Sequence, residues 1–239
     1  MKKLRIALVG AAGRMGTAIR AIADGESVEI VAQFSSGDEI NAAGADVVVD
    51  FSSASAAGEV CAAAIKTNVP LVIGTTGHSA IEQHLIEEAA SNVPVVLASN
   101  FSVGVNALFS LAERAAGILG SSFDVEIVEA HHRMKRDAPS GTAKTLAEIL
   151  QRALKLSDAR HGREGMIGER PKSELGIHSI RGGDIIGEHT VIFAGNGERL
   201  ELTHRASSRE TFARGALRAA RWSIGKPPRL YSMRDVLGL

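Results

Sequence analysis

The N-terminal part of the chain alternates short apolar runs with segments of helical periodicity. The apolar runs are continuous stretches of Val, Ile, Leu and Ala, which are typical of parallel strands covered by helices on both faces. They predict strands at residues 5–9, 28–34, 46–50, 69–73 and 93–98, with helices at residues 15–24, 54–67 and 79–91. This series indicates a doubly wound parallel sheet. Residues 35–45 are short for a parallel crossover, so we expect at most one helical turn there.

A different pattern begins after residue 101. Polar and apolar residues alternate with period two at residues 124–130, which predicts a half-buried strand. We further predict helices at residues 106–119 and 142–154, a long exposed loop at 157–176, and strands at 177–181, 184–194 and 199–205. Asn196-Gly197 supplies a hairpin turn before the last strand. These elements predict a second, α+β domain with a mixed or antiparallel sheet.

The pattern returns to helical spacing at residues 209–222, and a helix there could pack on either domain. The pattern typical of a parallel sheet gives way to clustered strands after residue 101, and helical spacing returns at residue 209. We therefore predict a discontinuous first domain. It comprises residues 1–101 and 209–239, and residues 102–208 form an inserted second domain.

A glycine loop, Gly10-Ala-Ala-Gly13-Arg-Met-Gly16, follows the first predicted strand directly. Glycines there allow a tight turn and bring backbone amides close to a pyrophosphate at the helix N-terminus. Ala12 replaces the middle glycine of the usual motif, and a turn without a ligand is the alternative. The position in the first βαβ unit favours a Rossmann-like dinucleotide site.

The second strand ends without the charged residue that usually selects the dinucleotide. It runs into Ser35-Ser36, acids arrive only at Asp38 and Glu39, and no Lys or Arg lies there to pair with a 2′-phosphate. The sequence therefore predicts a dinucleotide without choosing between NADH and NADPH.

Two further loops follow the fourth and fifth strands, at the sheet edge where ligands bind. In the first, Gly74, Thr75 and Thr76 offer amides and hydroxyls for a nicotinamide carboxamide; in the second, Phe101 could pack on the ring. Ordinary strand-to-helix turns are the alternative.

The densest group of chemically active side chains lies at residues 126–143. His131, His132 and Lys135 follow the predicted strand end, and Ser140 is placed to cap the next helix. A proton-active pair, a cation and a helix N-terminus suit a small anion that must be held and protonated. Singly, each has a structural explanation, such as a chance doublet, a solvated charge pair or a turn. Their combination favours function.

Composition narrows the partners. The 27 Lys and Arg balance 27 Asp and Glu, and only 4% of residues are aromatic, so nothing suggests nucleic-acid binding. The single cysteine, Cys61, fits a reducing compartment and is given no catalytic role. The first apolar run is too short for a signal peptide and no segment suits a membrane span, so we expect a soluble, cytoplasmic protein.

The residues resemble one family. The run Glu129-Ala-His-His-Arg-Met-Lys-Arg-Asp-Ala-Pro-Ser-Gly-Thr-Ala143 is similar to the motif of the 4-hydroxy-tetrahydrodipicolinate (dihydrodipicolinate) reductases of the diaminopimelate–lysine pathway. The similarity extends through Gly10–Gly16, Asp50-Phe51, Gly74–Gly77, 100–106, 182–189, 205–208 and 233–237, which is essentially the whole chain.

This resemblance implies reduction of a cyclic dicarboxylate by NADH or NADPH with loss of water, without a metal, in a homotetramer assembled through the second domain. It implies that His131 and Lys135 handle protons, and that His132, Lys135, Gly141 and Thr142 bind the substrate. It implies cofactor contacts at Gly10, Ala11, Ala12, Gly13, Arg14, Met15, Gly74, Thr75, Thr76, Ala98, Ser99, Asn100 and Phe101. Another two-domain NAD(P)-dependent dehydrogenase and, far behind it, a non-catalytic dinucleotide sensor are the alternatives.

Overall fold

The structure is a computed structural model that describes residues 3–239. The chain forms two compact units, Met1–Val103 with Arg209–Leu239, and Gly104–Ser208. The strands are β1 (Leu4–Val9), β2 (Val28–Phe34), β3 (Val47–Asp50), β4 (Leu71–Ile73), β5 (Pro94–Leu97), β6 (Asp124–His131), β7 (Asp158–His161), β8 (Glu174–Arg181), β9 (Gly187–Ala194), β10 (Arg199–Ala206) and β11 (Arg229–Tyr231). The helices are α1 (Arg14–Ile22), α2 (Ala57–Thr67), α3 (Ala80–Ala90), α4 (Val103–Leu119), α5 (Gly141–Leu154), α6 (Glu210–Ser223) and α7 (Met233–Leu237).

The first unit is built on a parallel sheet of order β11-β5-β4-β3-β1-β2. Alternate residues of β1 serve two cores: Ile6 and Leu8 pack with α1 and α6, whereas Ala7 and Val9 pack with α2 and α3. Burial on both faces explains the continuous apolar runs and confirms the doubly wound prediction. Strands β2 and β3 flank β1 on opposite sides, so the order in which strands are added to the sheet reverses at β1. In such sheets, ligands bind at the carboxyl ends of the strands beside this reversal.

The connection from β2 to β3 contains no helix, as its length predicted. The C-terminal segment adds a helix, α6, against α1 and an edge strand, β11, beside β5. Strand β11 and helix α7 were not predicted from the sequence, because a three-residue strand and a five-residue helix are too short to show periodicity.

The second unit is built on a mixed sheet of order β10-β9-β6-β8-β7, with α4 and α5 packed on one face. Strand β6 lies at the centre, parallel to β8 and antiparallel to β9. The predicted loop at residues 157–176 was partly wrong, since β7 and the start of β8 lie within it. All four residues of β7 are exposed, so this edge strand shows no apolar alternation.

Within residues 3–239, no helix combines the length and the apolar character that crossing a membrane requires.

Candidate active site

The glycine loop of the first unit is shaped by its own packing. Gly10 has a φ of +78°, and a Cβ there would collide with the Phe51 carbonyl. A Cβ on Gly16 would likewise collide with the Gly10 carbonyl. The amides of Gly10 and Ala11 donate to the Phe34 carbonyl at 2.9 and 3.1 Å, so they fix the loop to the end of β2.

The N-terminus of α1 presents backbone amides that no side chain caps. Its N-cap is Gly13, and no acidic residue lies in its first turn. The first helical bond is donated by Thr17 N–H to Gly13 O at 2.9 Å, so the amides of Arg14 and Met15 precede the bonded turns. These amides fit a pyrophosphate.

A cleft of about 1090 Å³ opens beside this loop. It is lined by Gly10, Ala12 and Gly13, by the end of β2 with Ser35, Ser36 and Asp38, and by Ser52, Ser53, Ser55, Glu59 and Lys66. The Asp38 carboxylate accepts from Ser35 N–H at 2.7 Å, which folds it onto the strand end. Lys66, on α2, supplies a cation that the sequence analysis did not connect with this cleft.

The loops after β4 and β5 include buried residues. The Thr75 hydroxyl donates to the Asp50 carboxylate at 2.6 Å, so Thr76, which is exposed, has the more accessible side chain. Burial raises the pKa of Asp50 and outweighs its hydrogen bonds from Ser52 and Thr75. The Phe101 ring is only 2% exposed and packs edge-to-face on Phe51 with centroids 5.7 Å apart. The Phe101 ring therefore lies in the core of the first unit and not at the surface of the loop.

In the second unit, β6 presents Glu129 and His131 on its buried face. The Glu129 side chain is fully buried, and its Oε2 lies 2.5 Å from His131 Nδ1. Arg181 holds the same carboxylate through two bonds of 2.9 and 2.8 Å, and Ser140 N–H donates to its Oε1 at 3.2 Å. One carboxylate therefore joins the imidazole to the start of α5.

These contacts set the charges. Burial alone would raise the pKa of Glu129, but hydrogen bonds from Arg181, Ser179 and His131 lower it to about 2. The pKa of His131 is lowered because burial disfavours the imidazolium. At neutral pH, His131 is therefore mainly neutral beside an ionised Glu129.

The start of α5 is capped by Ser140, whose Oγ accepts from Ala143 N–H at 3.2 Å. Gly141 and Thr142 form the first turn after this cap, and no acidic residue lies in that turn. Ser140 Oγ also lies 3.0 Å from Nε2 of His189. Burial lowers the pKa of His189 to about 3, so this imidazole beside Ser140 is uncharged at neutral pH.

The loop after β6 carries Lys135, which is held by contacts within the same loop. Lys135 Nζ lies 2.8 Å from Asp137 Oδ1, and Arg181 donates to the Asp137 carbonyl at 2.7 Å. The Lys135 amide donates to the His132 carbonyl at 3.1 Å, which turns the chain after the half-exposed His132.

Three members of this cluster, Glu129, Arg181 and His189, were not among the predicted site residues. Glu129 was detectable because it stands two residues before His131 in an alternating strand and therefore shares its face. Arg181 and His189 reach the cluster through strand pairing of β6 with β8 and β9, which a single sequence does not reveal.

Comparisons with known proteins identify the family of the chain. Residues 4–101 match the model "Dihydrodipicolinate reductase, N-terminus" and residues 104–237 the corresponding C-terminus model. The chain is 53% identical over 242 residues to a 4-hydroxy-tetrahydrodipicolinate reductase of Akkermansia muciniphila, covering 99% of this chain and 98% of the relative. It is 46% identical to that of an Anaeromyxobacter species, covering 99% and 98%. A dipicolinate-bound dihydrodipicolinate reductase from a Paenisporosarcina species superposes with a TM-score of 0.73 at 24% identity, covering 96% and 97%.

Proposed function

The chain belongs to the dihydrodipicolinate reductase family, and we propose which of its residues carry the reaction. It is an oxidoreductase that reduces 4-hydroxy-tetrahydrodipicolinate to tetrahydrodipicolinate, with loss of water, in lysine biosynthesis through diaminopimelate. The observation that carries the residue assignment is the cluster in which Glu129 joins His131 to the start of α5.

The first unit binds the dinucleotide, NADH or NADPH, in the cleft at the carboxyl ends of β1 and β3. The open amides at the start of α1 take the pyrophosphate, and the serines at the end of β2 take the adenosine ribose. When bound, the nicotinamide supplies the hydride. We assign the nicotinamide end of the site to Ala98, Ser99, Asn100 and Thr76, which lie in the loops that follow β4 and β5.

The second unit binds the dicarboxylate. Lys135 and the amides of Gly141 and Thr142 hold a carboxylate, because a cation and a helix N-terminus both stabilise negative charge. His132, at the turn into the same loop, adds a donor.

Protonation of the reduced centre falls to His131 with Lys135. In the neutral imidazole, Nδ1 is hydrogen-bonded to Glu129, so Nε2 is the nitrogen that can take up a proton and donate it to the substrate. The Lys135 cation offsets one of the two negative charges of the dicarboxylate.

We also propose a cytoplasmic homotetramer assembled through the sheet of the second unit. The face of that sheet opposite α4 and α5 carries Val128, Thr190, Ile192 and Thr203 beside the ion-paired Glu126, and we propose that this mixed face stacks on the sheet of a second copy. Light scattering of purified protein measures the assembly, and a monomer would contradict it.

A steady-state assay on the cyclic substrate tests the activity with each nucleotide. Turnover with NADH and NADPH is expected. No turnover with either nucleotide would overturn the assignment.

A further inference from the structure

The groups around the His131 imidazole shift its pKa in opposite directions. Glu129 contacts Nδ1 from the same strand, His189 lies edge-to-face from β9 with ring centroids 5.2 Å apart, and the cations of Arg181 and Lys135 act on it. Of these, the Glu129 carboxylate alone favours the imidazolium.

The Glu129 carboxylate is itself rigidly held. Arg181 grips both of its oxygens and Ser140 N–H fixes Oε1, so the remaining bond at Oε2 has a defined direction. An ionised carboxylate only accepts hydrogen bonds, and therefore Nδ1 of His131 must be the donor.

We propose that Glu129 is a positioning residue: its carboxylate holds the Nδ1–H tautomer of His131 and leaves Nε2 as the atom that exchanges the proton. The inference rests on the proposed role of His131 and extends it. Arg181 supports this role, because its two hydrogen bonds keep the Glu129 carboxylate ionised and in place.

The chain offers a matched control on the other face of β6. Glu126 is also bound by arginines, Arg163 and Arg170, lies 2.8 Å from His178 Nε2, and has its pKa lowered to about 2. Glu126→Gln removes the same charge from the same strand without touching His131.

The first measurement uses the wild-type protein and needs no variant to fold. Long-range ¹H–¹⁵N spectra of the imidazoles, with His131 assigned by its loss in His131→Gln, report which nitrogen carries the proton. We expect Nδ1–H at neutral pH. An Nε2–H tautomer would overturn the proposal.

The second measurement is the pH profile of kcat for Glu129→Gln and Glu126→Gln. Glu129→Gln should lower kcat at least about 10²-fold. The part of the kcat–pH profile that follows the titration of His131 should move to lower pH, because the carboxylate that stabilises the imidazolium is gone. Glu126→Gln should keep the wild-type profile. A merely structural role for Glu129 would lower activity without moving that part of the profile.

The two proposals fail separately. If His131→Gln is impaired but Glu129→Gln behaves like Glu126→Gln, the positioning role is wrong and the role of His131 stands. If His131→Gln keeps the wild-type kcat, the proposed role of His131 is wrong, and the positioning role falls with it.

Discussion

Lys135 Nζ lies 2.8 Å from Asp137 Oδ1, so the cation assigned to a substrate carboxylate already holds one from its own loop. The substrate must compete with Asp137 for Lys135. Because the Asp137 side chain is 55% exposed, the pair is worth only about 0.2–1 kcal/mol.

Asp137→Asn should therefore lower the KM for the cyclic substrate by up to about five-fold, since Lys135 is released. Steady-state kinetics measures this, with Asp158→Asn, an exposed aspartate of β7, as the control. A KM that rises would mean that Asp137 holds Lys135 in its working position.

Gly16→Ala should abolish tight dinucleotide binding, because the new Cβ would collide with the Gly10 carbonyl and displace the loop. Gly117→Ala is the matched control: it lies in α4 with open space around it and should stabilise the protein by roughly 0.5–1 kcal/mol. Nucleotide titration and thermal unfolding measure both. Unchanged affinity in Gly16→Ala would show that the loop does not form the site.

Both nucleotides should be used, because neither Ser35 nor Ser36 carries a selecting charge. A charged hydrogen bond is worth roughly 1.5–3 kcal/mol, or about ten- to a hundred-fold, so the preference in kcat/KM should stay below about a hundred-fold. A larger preference would reveal a dedicated selector.

Lys66 is the cation of the cleft, so Lys66→Ala should raise the KM for NADPH more than that for NADH. Lys3→Ala, at an exposed lysine outside the cleft lining, serves as the control. Equal effects on the two nucleotides would exclude contact with the 2′-phosphate.

Stability should fall on acidification because of two glutamates of β6. The pKa values of Glu126 and Glu129 are lowered from 4.5 to about 2 in the folded state. Their contribution is fully present above the ordinary value and is lost as the pH falls from about 4.5 towards 2. Thermal unfolding across this range should show a shallower loss in Glu129→Gln than in the wild type. Equal slopes would argue against the ionised, bound carboxylate.

The sequence predicted the elements that repeat a clear pattern. Continuous apolar runs identified β1 to β5, and the alternation of residues 124–130 identified β6 to within one residue. The Ser140 cap was also predictable, because a helix start is a local feature.

Features that depend on distant residues were not predictable. Arg181 and His189 meet Glu129 and Ser140 through the order of the sheet, and Lys66 reaches the cleft through the packing of α2. Phe101 was given a ligand-facing ring because its loop lies at the right sheet edge, whereas the ring lies in the core.

The most direct test of the proton-handling account is kcat on the cyclic substrate for His131→Gln and Lys135→Ala, with His84→Gln, on the exposed surface of α3, as the control. Each active-site variant should lower kcat by about 10²–10⁴, the usual cost of losing a general acid, while nucleotide affinity from a separate titration stays nearly unchanged. Wild-type kcat in both variants would contradict the account and leave the cluster with a structural role.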